Sequence, residues 1–211
     1  VLHFLPEWIE AVERDFNHPS LIGWCPFNET WDWNCRKQCD AILNIVYRTT
    51  KAIDATRPVI DTIGNFHVVT DIFDVHDYEQ DPTAFAENYS RLSEGIANDT
   101  ISRNPAISDR QKYDTRKPFF ISEYGGIKWS NDSENSWGYG SAPKTEEEFI
   151  QRYKGLTEAI LNHEGIMGFC YTQLYDVEQE QNGLMTYDRK FKFDPEIFRK
   201  INTQTAAIEK N

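Results

Sequence analysis

Apolar positions along this chain fall into two kinds of segment that alternate. Short, nearly unbroken apolar runs at Leu21–Phe27, Pro58–Ile63, Asp71–His76, Phe119–Ser122 and Ile166–Thr172 read as strands buried on both faces. Between them the spacing turns helical. Pro6–Asn17 carries Trp8, Ile9, Val12 and Phe16 on one stripe, with a proline near its start and His18-Pro19-Ser20 as its stop. Cys35–Thr56 repeats the pattern with Ile42, Leu43, Ile45, Val46 and Ile53. Further helices are predicted over Pro82–Ala97, Thr145–Asn162 and Pro195–Ile208, the second opened by Thr145 and Glu148 in a capping-box pattern.

Strands of this kind alternating with helices imply a parallel sheet covered on both sides. Polar residues gather just past each strand: Asn28-Glu29, Gly64-Asn65, His76-Asp77-Tyr78, Glu123-Tyr124-Gly125-Gly126 and Gln173. In a (β/α) barrel such tips share one face, where the chemistry is placed. Five strands are counted rather than eight, so the pattern fits either an open doubly wound sheet or part of a barrel. Two segments read as loop. Asn98–Arg116 is polar and irregular or weakly helical, and residues 127–143 are rich in Ser, Asn, Gly and Trp. The second fits a substrate-contacting lid or a disordered surface loop equally well.

Composition narrows the function. The 211 residues are 39% hydrophobic and 14% aromatic, enough for one substantial core. A net charge of −12 would repel phosphate backbones and anionic lipid, which excludes nucleic acid and membrane as expected partners. No apolar run is long enough to span a bilayer. No basic-then-apolar leader opens the chain, so any export signal would lie outside it; localisation stays unknown, with a periplasmic or secreted parent as one option. Cys25 and Cys170 lie in strand runs, and Cys35 and Cys39 on a helix, without the spacing of a disulfide framework or a four-ligand zinc site. Partly buried free thiols are expected, and no metal or cofactor.

Two carboxylates at the C-terminal tips of buried strands, Glu29 and Glu123, are what a glycosidase needs for acid/base and nucleophilic work. The structural alternative is that each caps a helix or pairs with an arginine. Asp61 and Asp74 interrupt apolar strands and need a partner inside the fold. His3, His18, His67 and His163 have no companions at ligand spacing and read as surface or helix-end residues. Trp8 and Trp24 read as core, Trp129 and Trp137 as rings that could stack on sugar. Gly125-Gly126 reads as a close approach of backbone to the site, or as a simple turn.

Three stretches in order, HPSLIGWCPFNE, PFFISEYGG and YTQLYDVEQEQNGLMTYDRK, resemble the catalytic (β/α)8 TIM barrel of glycoside hydrolase family 2. That family includes β-galactosidases, β-glucuronidases and β-mannosidases. The resemblance covers nearly the whole chain and implies the portion from strand four to strand eight. It implies Glu29 as acid/base, Glu123 as nucleophile and Asn28 as the residue bonding the sugar 2-hydroxyl. By the same resemblance Tyr78 sits close to the nucleophile, His76 shares its tip and Gln173 stands at the strand-eight tip; with Trp129, as a ring that could stack on sugar, they make up the expected substrate-binding set. A tryptophan usual at strand eight is replaced here by Cys170-Tyr171-Thr172-Gln173. β-Glucuronidases carry Asn-x-Lys where this chain has Glu180-Gln181-Asn182-Gly183, so a sugar carboxylate would lack its cation. β-Galactoside is therefore the expected substrate, other neutral β-glycosides following.

The resemblance implies an α/β fold with about five parallel strands, a single catalytic domain over residues 1–211 that lacks the first strands of the barrel. Exposed sheet edges would then favour a homo-oligomer. Two rival readings stand beside the hydrolase: an inactive barrel piece that binds carbohydrate at most, and another (β/α) enzyme such as an aldolase or dehydratase. The latter wants a Schiff-base lysine or metal cluster at a strand tip, whereas Lys128 lies in a loop.

Overall fold

The computed structural model describes residues 2–30, 37–64, 66–96, 110, 112–130 and 135–210. These divide into two compact units, Val1–Val75 with Glu94–Phe120 and His76–Ser93 with Ile121–Asn211. Three regular strands, β1 (Phe73–Asp77), β2 (Phe119–Gly125) and β3 (Ile166–Thr172), form a parallel sheet in that order. The two remaining expected strands pair with each other in parallel, but only through the bridges Trp24 to Val59 and Asn28 to Ile63. Among the described residues the five expected extended segments are present, three of them as regular strands.

In the first unit, helix α1 (Phe4–Asp15) packs on α2 (Asp40–Ile53). Leu43, Val46 and Thr50 recur every three to four positions on α2, and this stripe is the face that is buried. Val12, Trp24 and Val59 form the centre, with Trp8, Leu21, Tyr47 and Ile53 packed around them. Both expected core tryptophans have their indole donors met: Trp8 Nε1 donates to Thr50 Oγ1 at 2.8 Å and Trp24 Nε1 to Asp54 Oδ2 at 2.9 Å. Helix α2 begins later than its apolar pattern suggested; residues 37–39 precede it, and the expected start at Cys35 lies outside the described residues.

The second unit spends its aromatics on packing. Helices α3 (Pro82–Glu87), α4 (Glu146–Leu161) and α5 (Pro195–Asn202) belong to it. Phe149 of α4 stacks on Phe193 at 4.4 Å, and Tyr153 meets Phe198 edge-on at 4.8 Å. Gly155 lies so close to Pro82 that a β-carbon there would come within 2.6 Å of the ring, which brings α3 and α4 together. The buried phenols are satisfied: Tyr124 bonds Thr157 at 2.7 Å and Tyr153 donates to Asn202 at 3.0 Å.

Helix ends differ from the pattern reading where side chains intervene. Thr145 caps α4 by accepting from the Glu148 amide at 3.2 Å, while Glu148 reaches back to Lys144 N rather than to the cap residue. Helix α3 starts as expected at Pro82, capped by Asp81, but stops at Glu87 instead of continuing to Ala97. The Asn88 amide and the Tyr89 hydroxyl are drawn to Asp77, at 3.0 and 2.9 Å, which ends the helical register. Helix α5 likewise ends at Asn202, and Ala207–Lys210 forms a separate 3-10 turn. The expected loop at Asn98–Arg116 lies mostly outside the described residues, as does Cys35. Cys25, Cys39 and Cys170 are free cysteines with surface exposure, while partial burial of the thiols raises the pKa of Cys25 to about 12 and that of Cys170 in the same direction. Among the described residues no helix is long and apolar enough to cross a membrane.

Candidate active site

In the first unit the run Leu21–Phe27 delivers Asn28 and Glu29 to its tip. Ladder bonds run from Trp24 N to Pro58 O (3.0 Å), Ile60 N to Trp24 O (2.9 Å), Ile63 N to Phe27 O (3.0 Å) and Glu29 N to Ile63 O (3.0 Å). The last bond falls on a turned residue: Glu29 has φ 48°, in the left-handed region. That conformation costs a residue bearing a β-carbon on the order of 1 kcal/mol and persists only where its surroundings impose it. The Thr30 hydroxyl just beyond it bonds Gln38 Oε1 at 2.7 Å and Thr62 Oγ1 at 3.1 Å.

Behind the Ile63–Gly64 tip lies a buried charged group. His67 is 1% exposed, Asp61 0% and Asp74 1%. His67 Nδ1 is 2.8 Å from Asp61 Oδ1, and Nε2 is 3.2 Å from Asp74 Oδ1. Burial alone would strip the proton from this imidazole, but the bonds to Asp61 and Asp74 prevail and raise its pKa to about 10. The sequence reads His67 as a surface or helix-end residue; it is instead the buried partner that Asp61 and Asp74 require.

Side chains alternate along β1, whose last residues, His76 and Asp77, open the second unit. His76 and Tyr78 point to one face and Asp77 to the other, where it meets Asn88 and Tyr89. On the first face Tyr78 Oη donates to Glu123 Oε2, near the end of β2, and lies 3.3 Å from Thr172 Oγ1 at the end of β3. His76 Nδ1 is 3.3 Å from the same carboxylate oxygen. Burial and the Glu123 carboxylate together push the Tyr78 phenol far above its ordinary range, so it remains a proton donor. Glu123 therefore sits 23% exposed, oriented by a phenol and an imidazole.

Tyr139 covers Tyr78, its ring 3.4 Å away and nearly parallel at 4°. Gly126 permits this stack. At φ 59° it has a left-handed backbone, and a β-carbon there would overlap Tyr139 and come within 3.0 Å of Tyr78 Cε1. Gly125, at φ 80°, similarly leaves space for Tyr171. The glycine pair is a close approach of backbone to aromatic rings. The described part of the 127–143 loop is bonded on both sides: Ile127 bridges Tyr139, Trp137 N donates to Gln179 O at 2.8 Å, and Gln181 N to Trp137 O at 3.0 Å.

The two indoles named from the sequence have different surroundings. Trp129 packs against Phe149 and Phe193 at 5.8 and 5.4 Å, whereas Trp137 is 47% exposed. Gln173 follows β3 after a cis Thr172–Gln173 peptide bond, and its amide donates to Glu180 O at 3.4 Å. The sequence reading missed Tyr139 and Thr172 as partners of Tyr78. Gly126 was the available signal for Tyr139, since a tip glycine beside a catalytic-type strand marks a place where something packs closely.

The family described as "Glycosyl hydrolases family 2, TIM barrel domain" matches residues 2–204. Among solved structures, a β-D-glucuronidase of Dictyoglomus thermophilum is 20% identical with a TM-score of 0.65, covering 97% of this chain and 36% of its own. A Faecalibacterium prausnitzii β-glucuronidase is 18% identical with a TM-score of 0.68, covering 98% of this chain and 36% of its own. A β-galacturonidase of Eisenbergiella tayi bound to galacturonate is 18% identical with a TM-score of 0.67, covering 94% and 36%. These likenesses are likenesses of fold, and the chain spans 36% of the length of each of the three. No curated protein matches the chain by sequence.

Proposed function

The chain belongs to glycosyl hydrolase family 2, as a TIM barrel domain, and on that premise we propose that it carries a retaining β-glycosidase site acting on a β-galactoside. Glu123 is assigned as the nucleophile and Glu29 as the acid/base. The observation that supports the first assignment is the convergence of the Tyr78 hydroxyl and the His76 imidazole on one oxygen of the Glu123 carboxylate. A neutral phenol donating to a carboxylate orients it without cancelling its charge, which suits a group that must attack an electrophilic carbon.

In the first step a Glu123 oxygen bonds to the anomeric carbon while the bond from that carbon to the leaving oxygen breaks. The proton of Glu29 passes to the leaving oxygen. In the second step Glu29 takes a proton from water, whose oxygen displaces Glu123 and restores its carboxylate. Asn28 is assigned to the sugar 2-hydroxyl, with His76, Gln173 and Trp129 completing the proposed substrate-binding set. Such a mechanism calls for two carboxyl groups about 5–5.5 Å apart.

The choice of a neutral sugar rests on residues 180–183, Glu-Gln-Asn-Gly, which offer no cation to a sugar carboxylate. Of the lysines that follow, Lys190 and Lys192, the second is engaged by Asp176 at 2.7 Å and by Trp129 O at 2.9 Å. A second reading, a β-glucuronide or β-galacturonide, is favoured by the names of the solved structures similar in fold. Hydrolysis of nitrophenyl β-galactoside, β-glucuronide and β-galacturonide separates the two. The expected result is faster turnover of the galactoside, abolished in Glu123→Gln. Faster turnover of either uronide would transfer the assignment to the second reading, and turnover surviving Glu123→Gln would remove Glu123 from the mechanism.

A further inference from the structure

We infer that His67 is a positioning residue for Glu29, the central member of a buried Asp61–His67–Asp74 clamp that holds the acid/base backbone in its turned conformation. The inference rests on the proposed acid/base role of Glu29 and adds to it the device that sets the residue's geometry.

A continuous run of bonds leads from the strained residue to the buried charge. The Glu29 amide donates to Ile63 O at 3.0 Å, and the next residue, Gly64, donates its own amide to Asp74 Oδ2 at 3.0 Å. Gly64 itself is left-handed at φ 69°, so the tip turns sharply just where Asp74 grips it. The other oxygen of Asp74 faces His67 Nε2 at 3.2 Å, and the opposite ring nitrogen faces Asp61 at 2.8 Å. Asp61 is anchored in turn by the amides of Val68 and Val69, at 2.7 and 2.9 Å. Residues 67–69 are thus fastened, through Asp61 and Asp74, to the tip that carries the Glu29 amide.

Burying two carboxylates and an imidazole is a poor way to gain stability, because their desolvation offsets most of their attraction. Such groups are better suited to fixing one arrangement of the chain than to strengthening it. Glu29 needs that: a left-handed φ of 48° relaxes unless neighbouring backbone imposes it. An acid/base carboxyl has to meet the leaving oxygen within hydrogen-bond reach, so a relaxed Glu29 would fail at proton donation first.

That selectivity supplies the test. Leaving groups that depart readily, such as 2,4-dinitrophenolate, need no proton, whereas methanol or phenol does. In His67→Ala the value of kcat/KM for a phenyl or methyl β-glycoside should fall at least about tenfold, while that for the dinitrophenyl β-glycoside stays within about twofold. Equal loss on both substrates would overturn the inference. Glu29→Ala, run in parallel, should show the same pattern more strongly; if it does not, the acid/base reading fails and the clamp must be judged separately.

The separate readout needs no turnover. The three-bond coupling between the Glu29 amide and α-protons reports its φ. The expected result in His67→Ala, or in Asp74→Ala should the first variant not fold, is a Glu29 coupling and amide exchange rate changed from the parent chain. The amide spectrum away from residues 28–30 and 61–74 should be preserved. Asp74→Asn, which keeps an acceptor for Gly64, should leave the coupling as in the parent. An unchanged Glu29 coupling in a folded alanine variant would overturn the proposal.

Discussion

Replacing Gly126 by alanine tests how the Glu123 environment is built. At φ 59° the new β-carbon meets a left-handed backbone, which costs roughly 1–2 kcal/mol for an L residue. It would also overlap Tyr139 Cδ2 and lie 3.1 Å from Tyr139 Cε2 and 3.0 Å from Tyr78 Cε1, so the stacked pair must slide. Losing the stacking geometry adds on the order of 1 kcal/mol. The two contributions total about 2–3 kcal/mol, a fall in Tm of roughly 4–12 °C for a chain of this length. Gly95→Ala isolates the backbone part: Gly95 has φ 78°, and its nearest neighbour to a new β-carbon, Thr115 Cγ2, is 3.8 Å away. Differential scanning calorimetry of the two variants should place Gly126→Ala below Gly95→Ala. Because Tyr78 donates to Glu123, the first variant should also lose kcat/KM by roughly tenfold to a hundredfold, and the second almost none. Equal melting temperatures with unchanged kinetics would refute the role given to the Tyr78–Tyr139 stack.

Three other outcomes are expected. Tyr78→Phe removes a hydrogen bond to a charged acceptor and should lower kcat/KM by roughly tenfold to a hundredfold with the fold intact, read by steady-state kinetics beside circular dichroism. His67 is raised from 6.5 to about 10, so its contribution is complete below 6.5 and is lost as pH climbs through the higher value. Over that window the folded chain holds a proton that the unfolded chain releases, and stability should decline by up to about 1.4 kcal/mol per pH unit in urea titrations, a slope absent from His67→Ala. Asp54→Ala should cost about 3 kcal/mol in the same assay, because it takes the carboxylate from Arg57, 2.7 Å away, and leaves the buried Trp24 donor without its acceptor.

What the sequence disclosed, and what it withheld, follows from the range of the forces involved. The strands were legible because apolar runs closed by polar residues have few other readings, and Asn28, Glu29, His76, Tyr78 and Glu123 were found at their tips for that reason. Helix starts marked by Pro82 and Thr145 were legible too, since caps are local. The end of α3 was not, because Asp77 reaches in from another element to claim Asn88 and Tyr89. His67 shows the same limit more sharply. The need of Asp61 and Asp74 for a partner could be read from their apolar flanks, and so could the apolar setting of His67 between Phe66 and Val68. Joining these observations would have required knowing that the fold brings residues 61, 67 and 74 together. The turned backbone at Glu29 left no mark on the sequence, since nothing in glutamate favours a left-handed φ.

The retaining mechanism requires Glu123 to become covalently bonded to the sugar. Inactivation with a 2-deoxy-2-fluoro-β-glycoside of the sugar turned over, followed by proteolysis and mass spectrometry, reads this directly, because the fluorine slows breakdown of the glycosyl-enzyme. The expected result is one label per chain, carried by the peptide Pro118–Gly126 and located on Glu123. A label on any other residue, or no covalent adduct together with a product of inverted anomeric configuration, would contradict it.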